Sequence, residues 1–286
     1  MQRIQFRQEA ALRAAVIGLA AAFLTSCAMG RHHSVLIKGA PIACVEKGTG
    51  LPTVVFEAGL GDGLASWEPI FEDVSEFTMA VAYSRAGYAG NIYHIDKGGR
   101  RSADDVAHML KALLEKRKIP GPYLLVGHSI GGNYALRFAK LFPQDVVGIV
   151  LIDSRPRGFT KECEKARLRQ CGPSELHALA APAHVAAEIR GLEESEEETP
   201  APEELGDLPV TVIAATKPPK LAPRGIQDIW LRMQSEFARQ LKNGLYVQAD
   251  GSRHYIHRDA PNLVVREIRS QVEVARSREF ERSISP

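Results

Sequence analysis

The sequence predicts an α/β fold: a mostly parallel central sheet of about eight strands, helices on both faces, and a small lid insertion. Short β-rich apolar runs alternate with stretches of helical periodicity, the pattern of strand-helix-strand units. One strand and helix pair is joined by a glycine-flanked turn, Gly127-His128-Ser129-Ile130-Gly131. The chain has 286 residues, 45% of them hydrophobic, enough for one large core with an excursion.

The opening strands, Ser34 to Lys38 and Pro41 to Glu46, read as a hairpin turning at Gly39 and forming an antiparallel edge. Thr53 to Glu57 and Met79 to Tyr83 are the next strands. Between them, Ser66 to Phe77 reads as a helix, with Trp67, Ile70, Phe71 and Val74 on one face. Ser102 to Lys118 carries the apolar stripe Val106, Met109, Leu110, Leu113 and Leu114, and Ser102 with Asp105 has the spacing of a capping box. Strand 122–126, helix 129–141 and strand Val146 to Ile152 follow. Residues 155–207 turn charged and Ala/Pro-rich, which predicts a lid; the run Glu193 to Glu198 reads as a solvated loop, because densely packed carboxylates repel. The regular pattern resumes with strand Pro209 to Ala215. A helix with Ile226, Ile229, Trp230, Met233, Phe237 and Leu241 inward comes next, then strand Leu245 to Ala249. The closing helix, Pro261 to Ala275, has Val264, Val265, Ile268 and Val272 inward.

The N-terminal 26 residues read as a signal peptide. Arg3, Arg7 and Arg13 precede the uncharged stretch Ala14 to Leu24, too short for an ordinary membrane span. The segment ends Leu24-Thr25-Ser26-Cys27, which resembles the lipobox of bacterial lipoprotein signal peptides. The resemblance implies cleavage before Cys27, acylation of that cysteine, a tether over 27–33, and a domain over 34–286 held at a membrane. Ala28, rather than an aspartate, implies outer-membrane sorting in a Gram-negative host. An ordinary cleaved signal with an incidental cysteine is the alternative. Export to the periplasm or cell surface permits disulfides, so Cys163 and Cys171, eight residues apart, are a possible bridge; three free thiols, with Cys44 packed as a small apolar residue, are the other reading.

The chemistry rests on Ser129. A G-x-S-x-G turn between strand and helix is the form of a nucleophile elbow. A serine hydroxyl needs a base to remove its proton, and the base needs an orienting group. His254, after the last strand and before the last helix, lies on the strand C-terminal edge where catalytic groups of open α/β sheets gather. His257 is its rival. His108 and His177 read as surface residues, and the side chain of His128 is expected to point away from the reacting centre. A His254–His257 metal pair lacks a third ligand. For the acid, the stretch after strand 209–215 holds no carboxylate before Asp228, whereas Asp153 closes a buried strand and needs a partner. A loop-capping role is the other reading of Asp153. Oxyanion donors are expected from the backbone N–H groups of Ile130, at a helix start, and Leu60, in Gly59-Leu60-Gly61.

These features together resemble the α/β-hydrolase superfamily over about residues 34 to 275. The elbow, the Phe56-Glu57-Ala58-Gly59-Leu60-Gly61 turn, the Tyr83-Ser84-Arg85-Ala86-Gly87-Tyr88 segment and the Gly251-x-x-His254 loop carry the likeness. Two departures stand out: Ala58 replaces the histidine that usually precedes the glycine of the oxyanion turn, and Ser84 stands where many members have aspartate. The resemblance implies a serine hydrolase that cleaves carboxylic esters through an acyl-enzyme on Ser129. A peptidase or amidase of the same fold, or a non-catalytic binding lipoprotein, are the alternatives. The serine argues against haloalkane or epoxide chemistry, which on this fold uses an aspartate nucleophile. A net charge of +2 gives no pointer to nucleic acid, and no P-loop or dinucleotide fingerprint implies an organic cofactor.

Overall fold

A computed structural model describes residues 32–88, 99–168, 171–218 and 225–284. The signal-like segment, Cys27 and most of the tether lie outside the described residues. The strands are β1 (His33–Ile37), β2 (Ala40–Lys47), β3 (Thr53–Glu57), β4 (Ala80–Ser84), β5 (Tyr123–His128), β6 (Val146–Ile152), β7 (Val210–Ala215) and β8 (Gly244–Ala249). They form one sheet in the order β1-β2-β4-β3-β5-β6-β7-β8. β2 pairs antiparallel with β1 and β4, and the remaining pairs are parallel. The expected hairpin turns at Gly39, whose φ of +80° needs no Cβ.

The central strands are buried on both sides, which is why they read as continuous apolar runs rather than alternating ones. On one face Val55, Leu125, Ile149 and Val212 pack against α2 (Ala103–Arg117), α3 (Ile130–Leu141) and α8 (Ile226–Gln240) through Leu113, Phe138 and Ala238. On the other, Val54, Leu124, Val150 and Ile213 meet α1 (Glu68–Ser75) and α10 (Pro261–Ile284) through Phe71, Val264 and Ile268. α2 starts with the expected capping box: Ser102 accepts from Asp105 N–H while the Asp105 side chain accepts from Ser102 N–H.

Between β6 and β7 the described residues form the short α-helices α4 (Phe159–Lys165), α5 (Glu175–Ala180), α6 (Ala183–Arg190) and α7 (Leu192–Glu198), followed by a 3-10 turn at Pro202–Leu205. A Cys163–Cys171 disulfide stitches α4 to the following residues, Cα atoms 5.8 Å apart, and Cys44 is buried and free. The acidic run is not the solvated loop its composition suggests. It is α7, and its charges are spread over different partners. Glu196, 1% exposed, accepts from Arg155 Nε at 2.5 Å and from Thr160 N–H at 2.9 Å. Glu197 pairs with Lys161, and Glu198 accepts from Asp104 N–H at the start of α2.

The expected inward face of α8 is met at its C-terminal end, where Leu241 is buried and Phe237 packs against the core, and is displaced before it. Its fully buried residues are Gln234 and Ala238, while Ile229, Trp230, Met233 and Phe237 are half-buried. A glutamine can occupy the core here because it has a carboxylate to bond. That carboxylate belongs to Asp153.

Candidate active site

β5 runs into α3 through Ser129, whose backbone sits at φ 55°, ψ −125°. A non-glycine residue there costs on the order of 1–3 kcal/mol and persists only when its surroundings fix it. Four hydrogen bonds do so: Ser129 N–H donates to Ile152 C=O (3.1 Å), and Ser129 C=O accepts from Gly132 N–H (3.1 Å), Arg155 N–H (3.0 Å) and Ser154 Oγ (3.2 Å). The flanking glycines make the reversal possible. A Cβ on Gly127 would lie 2.6 Å from Gly131 O, and one on Gly131 would lie 2.2 Å from Glu57 O.

Asp153 ends β6, 4% exposed and at φ 41°. Its two oxygens are divided. Oδ1 accepts from Ala215 N–H (3.1 Å), Trp230 Nε1–H (3.0 Å) and Gln234 Nε2 (3.2 Å). Oδ2 accepts from His254 Nδ1 at 2.6 Å. The alternative acid, Asp228, is exposed in the first turn of α8. Of the two carboxylates weighed, the structure brings Asp153 to the histidine.

His254 sits in the turn between β8 and the short helix α9 (Ile256–Asp259), its side chain one-third exposed. His257 lies in α9 itself, fully buried, with neither ring nitrogen hydrogen-bonded among the described residues, against Trp67 at 4.8 Å. Burial pushes its pKa down to about 3, so it is a neutral core residue. His128 has a larger part than expected. Its ring does not leave the site but packs against His254 at 4.7 Å, and Nε2–H donates to His254 C=O at 3.0 Å. Burial holds His128 well below its ordinary pKa, so it supports the loop as a neutral ring. His108 and His177 are exposed on α2 and α5.

The turn after β3 lies over the elbow. The Leu60 side chain packs into the same apolar cluster as Ile130. Among the described residues the Leu60 N–H has no partner, and the Ile130 N–H opens a helix whose first amides have no intrahelical acceptor. Beneath the turn is a buried charge cluster. Arg85 Nη1 donates to Glu57 Oε1 (2.8 Å) and Ala58 C=O (2.7 Å), and Nη2 donates to Gly59 C=O (2.7 Å). Arg85 also grips Glu188 of α6, through Nε at 2.7 Å and Nη2 at 3.0 Å. Arg101 Nη1 and Tyr88 OH donate to Glu188 at 2.9 and 2.7 Å. Tyr83 OH bonds the other oxygen of Glu57, and burial pushes the Glu57 carboxyl up to about 7. The guanidinium groups instead hold Glu188 below its ordinary range.

The two departures in sequence are accommodated. Ser84 Oγ accepts from Leu64 N–H at 3.0 Å and fills the space beside Gly63. Ala58, 1% exposed, contributes its carbonyl to Arg85.

The comparisons agree with this architecture. An uncharacterized Bacillus subtilis protein, YqjL, is 28% identical over 228 residues, covering 76% of this chain and 82% of that protein. An esterase of Mycobacterium tuberculosis is 25% identical over 128 residues, 45% of this chain and 41% of the esterase. The structure of a thermophilic esterase from Thermogutta terrifontis superposes with a TM-score of 0.63 at 17% identity, covering 86% of this chain and 99% of that one. A family model described as the alpha/beta hydrolase fold matches residues 52–260, and the chain belongs to that family.

Proposed function

We propose that the protein is a serine hydrolase that cleaves carboxylic esters through a covalent acyl-enzyme on Ser129. The observation that carries this reading is the 2.6 Å bond between His254 Nδ1 and Asp153 Oδ2, on a loop whose backbone is held by the residue preceding Ser129. With Asp153 Oδ2 accepting from Nδ1–H and so holding the proton on that nitrogen, Nε2 of His254 is left as the acceptor a serine hydroxyl needs. Ser129 Oγ attacks the ester carbonyl as His254 removes its proton. The Leu60 and Ile130 amides stabilise the oxyanion, and the imidazolium returns the proton to the departing alcohol. Water, deprotonated by the same histidine, then attacks the acyl-enzyme and releases the acid. Esters are preferred to amides because the likeness includes proteins named as esterases. The Leu24-Thr25-Ser26-Cys27 ending supports a location on an exported membrane surface, anchored through acylated Cys27.

The test is labelling with a fluorophosphonate, followed by turnover of a p-nitrophenyl ester series. The wild type should label and hydrolyse. Ser129→Ala should do neither while keeping its fold, since it deletes a single oxygen. Labelling or turnover that survives Ser129→Ala would overturn the assignment.

A further inference from the structure

The cap is wired to the oxyanion turn by charge. Glu188, on α6 and 0% exposed, receives four donors: Arg85 Nε and Nη2, Arg101 Nη1 and Tyr88 OH. Two of those donor residues also hold the turn itself. Arg85 engages the carbonyls of Ala58 and Gly59 on one side of Leu60, and Tyr88 OH accepts from Gly61 N–H at 3.1 Å on the other. The peptide groups on either side of Leu60 are thus fixed through two residues that both end on one cap carboxylate. A second clamp, Arg101 Nη2 to Ala86 C=O at 2.8 Å, fixes the segment that carries Arg85 and Tyr88.

We infer that Glu188 is a positioning residue for the oxyanion hole: through Arg85 and Tyr88 it aims the Leu60 N–H, so the hole is complete only when α6 is seated. This rests on the serine-hydrolase reading above. The charge balance supports it. Burial pushes Glu57 up to about 7, so it is only partly ionised near pH 7, whereas Glu188 keeps its charge and is the stronger anchor of the Arg85 guanidinium. Without that anchor Arg85 is a buried cation whose Nε and Nη2 have lost a charged acceptor. It then relaxes away from the two carbonyls. Unseating α6 would have the same effect as neutralising Glu188, so cap opening switches off oxyanion stabilisation while the acid–base pair on Asp153 and His254 stays formed.

The experiment compares an ester with its thionoester in the full-length protein, using wild type, Glu188→Gln and Tyr88→Phe. Sulfur is a larger and weaker acceptor than oxygen, so the thionoester uses the oxyanion amides poorly and the ester-to-thionoester rate ratio reports the hole directly. A well-aimed oxyanion donor is worth about 10²–10³ in kcat. Glu188→Gln should therefore lower ester kcat by at least about tenfold, leave KM within about twofold, and shrink the ratio at least about fivefold. Tyr88→Phe frees Gly61 N–H and removes one of the four donors to Glu188 while leaving the Arg85 contacts in place, and should shift the ratio in the same direction by about threefold. If Glu188→Gln does not fold, Tyr88→Phe decides. Absence of wild-type ester turnover overturns both readings. Normal wild-type turnover with an unchanged ratio in the folded variants overturns the coupling alone, since a merely structural loss would slow both substrates equally.

Discussion

Asp153→Asn separates the orienting role of this residue from its structural one. The three donors on Oδ1, from Ala215, Trp230 and Gln234, decide how the new amide is oriented. With its oxygen toward them the amide keeps three bonds and presents NH2 to His254; the flipped amide would set NH2 against three donors. At about 1 kcal/mol per bond the first orientation is favoured by roughly 3 kcal/mol, or more than a hundredfold. The NH2 then donates to His254 Nδ1, which forces the proton onto Nε2, where it blocks proton abstraction from Ser129. Freezing the base in that tautomer lowers kcat by about 10⁴, or roughly 5.5 kcal/mol of barrier. Because the three donors stay bonded, the unfolding midpoint should move by no more than about 4 °C. Ester kcat/KM and the ¹⁵N shifts of histidine-labelled protein check the two halves. A rate within tenfold of wild type, a proton still on Nδ1, or an equal loss in Asp228→Asn would refute the reasoning.

His257→Met tests the neutral buried imidazole. Between the native value of about 3 and the ordinary 6.5, the unfolded chain binds a proton that the native chain does not, so wild-type stability falls as pH drops below 6.5. By pH 5 this amounts to about 2 kcal/mol; in urea titrations the variant should gain that much on wild type between pH 8 and pH 5, and a pH-independent difference would count against it. Gly131→Ala drives a methyl into the Glu57 carbonyl and should cost about 3 kcal/mol of stability; a neutral result in thermal melts would mean the elbow is looser than described. Cys27→Ser should remove the proposed anchor without touching catalysis. Intact mass and membrane partition in a bacterial host decide this, and a wild-type chain without added lipid mass would defeat lipidation while leaving the hydrolase reading in place.

Much of this fold is legible in the residues because the central strands have no solvent side. Val54 to Phe56, Leu124 to Val126 and Ile149 to Ile152 are apolar at every position, and turn or cap residues bound them. The elbow is legible because its glycines answer to backbone crowding, and Asp153 because a carboxylate closing such a strand needs a partner. The failures share one cause. α7 and part of the inward face of α8 depart from the sequence reading because polar residues there are not exposed: Glu196 and Gln234 are buried against charges supplied from distant parts of the chain. Gln234, four residues after Trp230 on a helix of otherwise apolar stripe, was the available hint. Glu188 offered none: its partners lie 87 to 103 positions away, and no local pattern encodes that distance.

Placing the acid at the end of β6 has a consequence for how such a protein can diversify. Ser129 and Asp153 directly follow adjacent strands, joined through Ser129 N–H to Ile152 C=O, so the pair behaves as one rigid cassette. Residues 216–225, after β7, contain no Asp or Glu and so supply no acid to the proposed proton relay. The root of that segment is tied down through Ala215 N–H to Asp153, Gly251 N–H to Thr216 Oγ1 and Lys217 N–H to Ser252 C=O. On the proposed mechanism the sequence of this segment carries no catalytic duty. Its length and composition can be exchanged to suit new substrates without rebuilding the chemistry beneath.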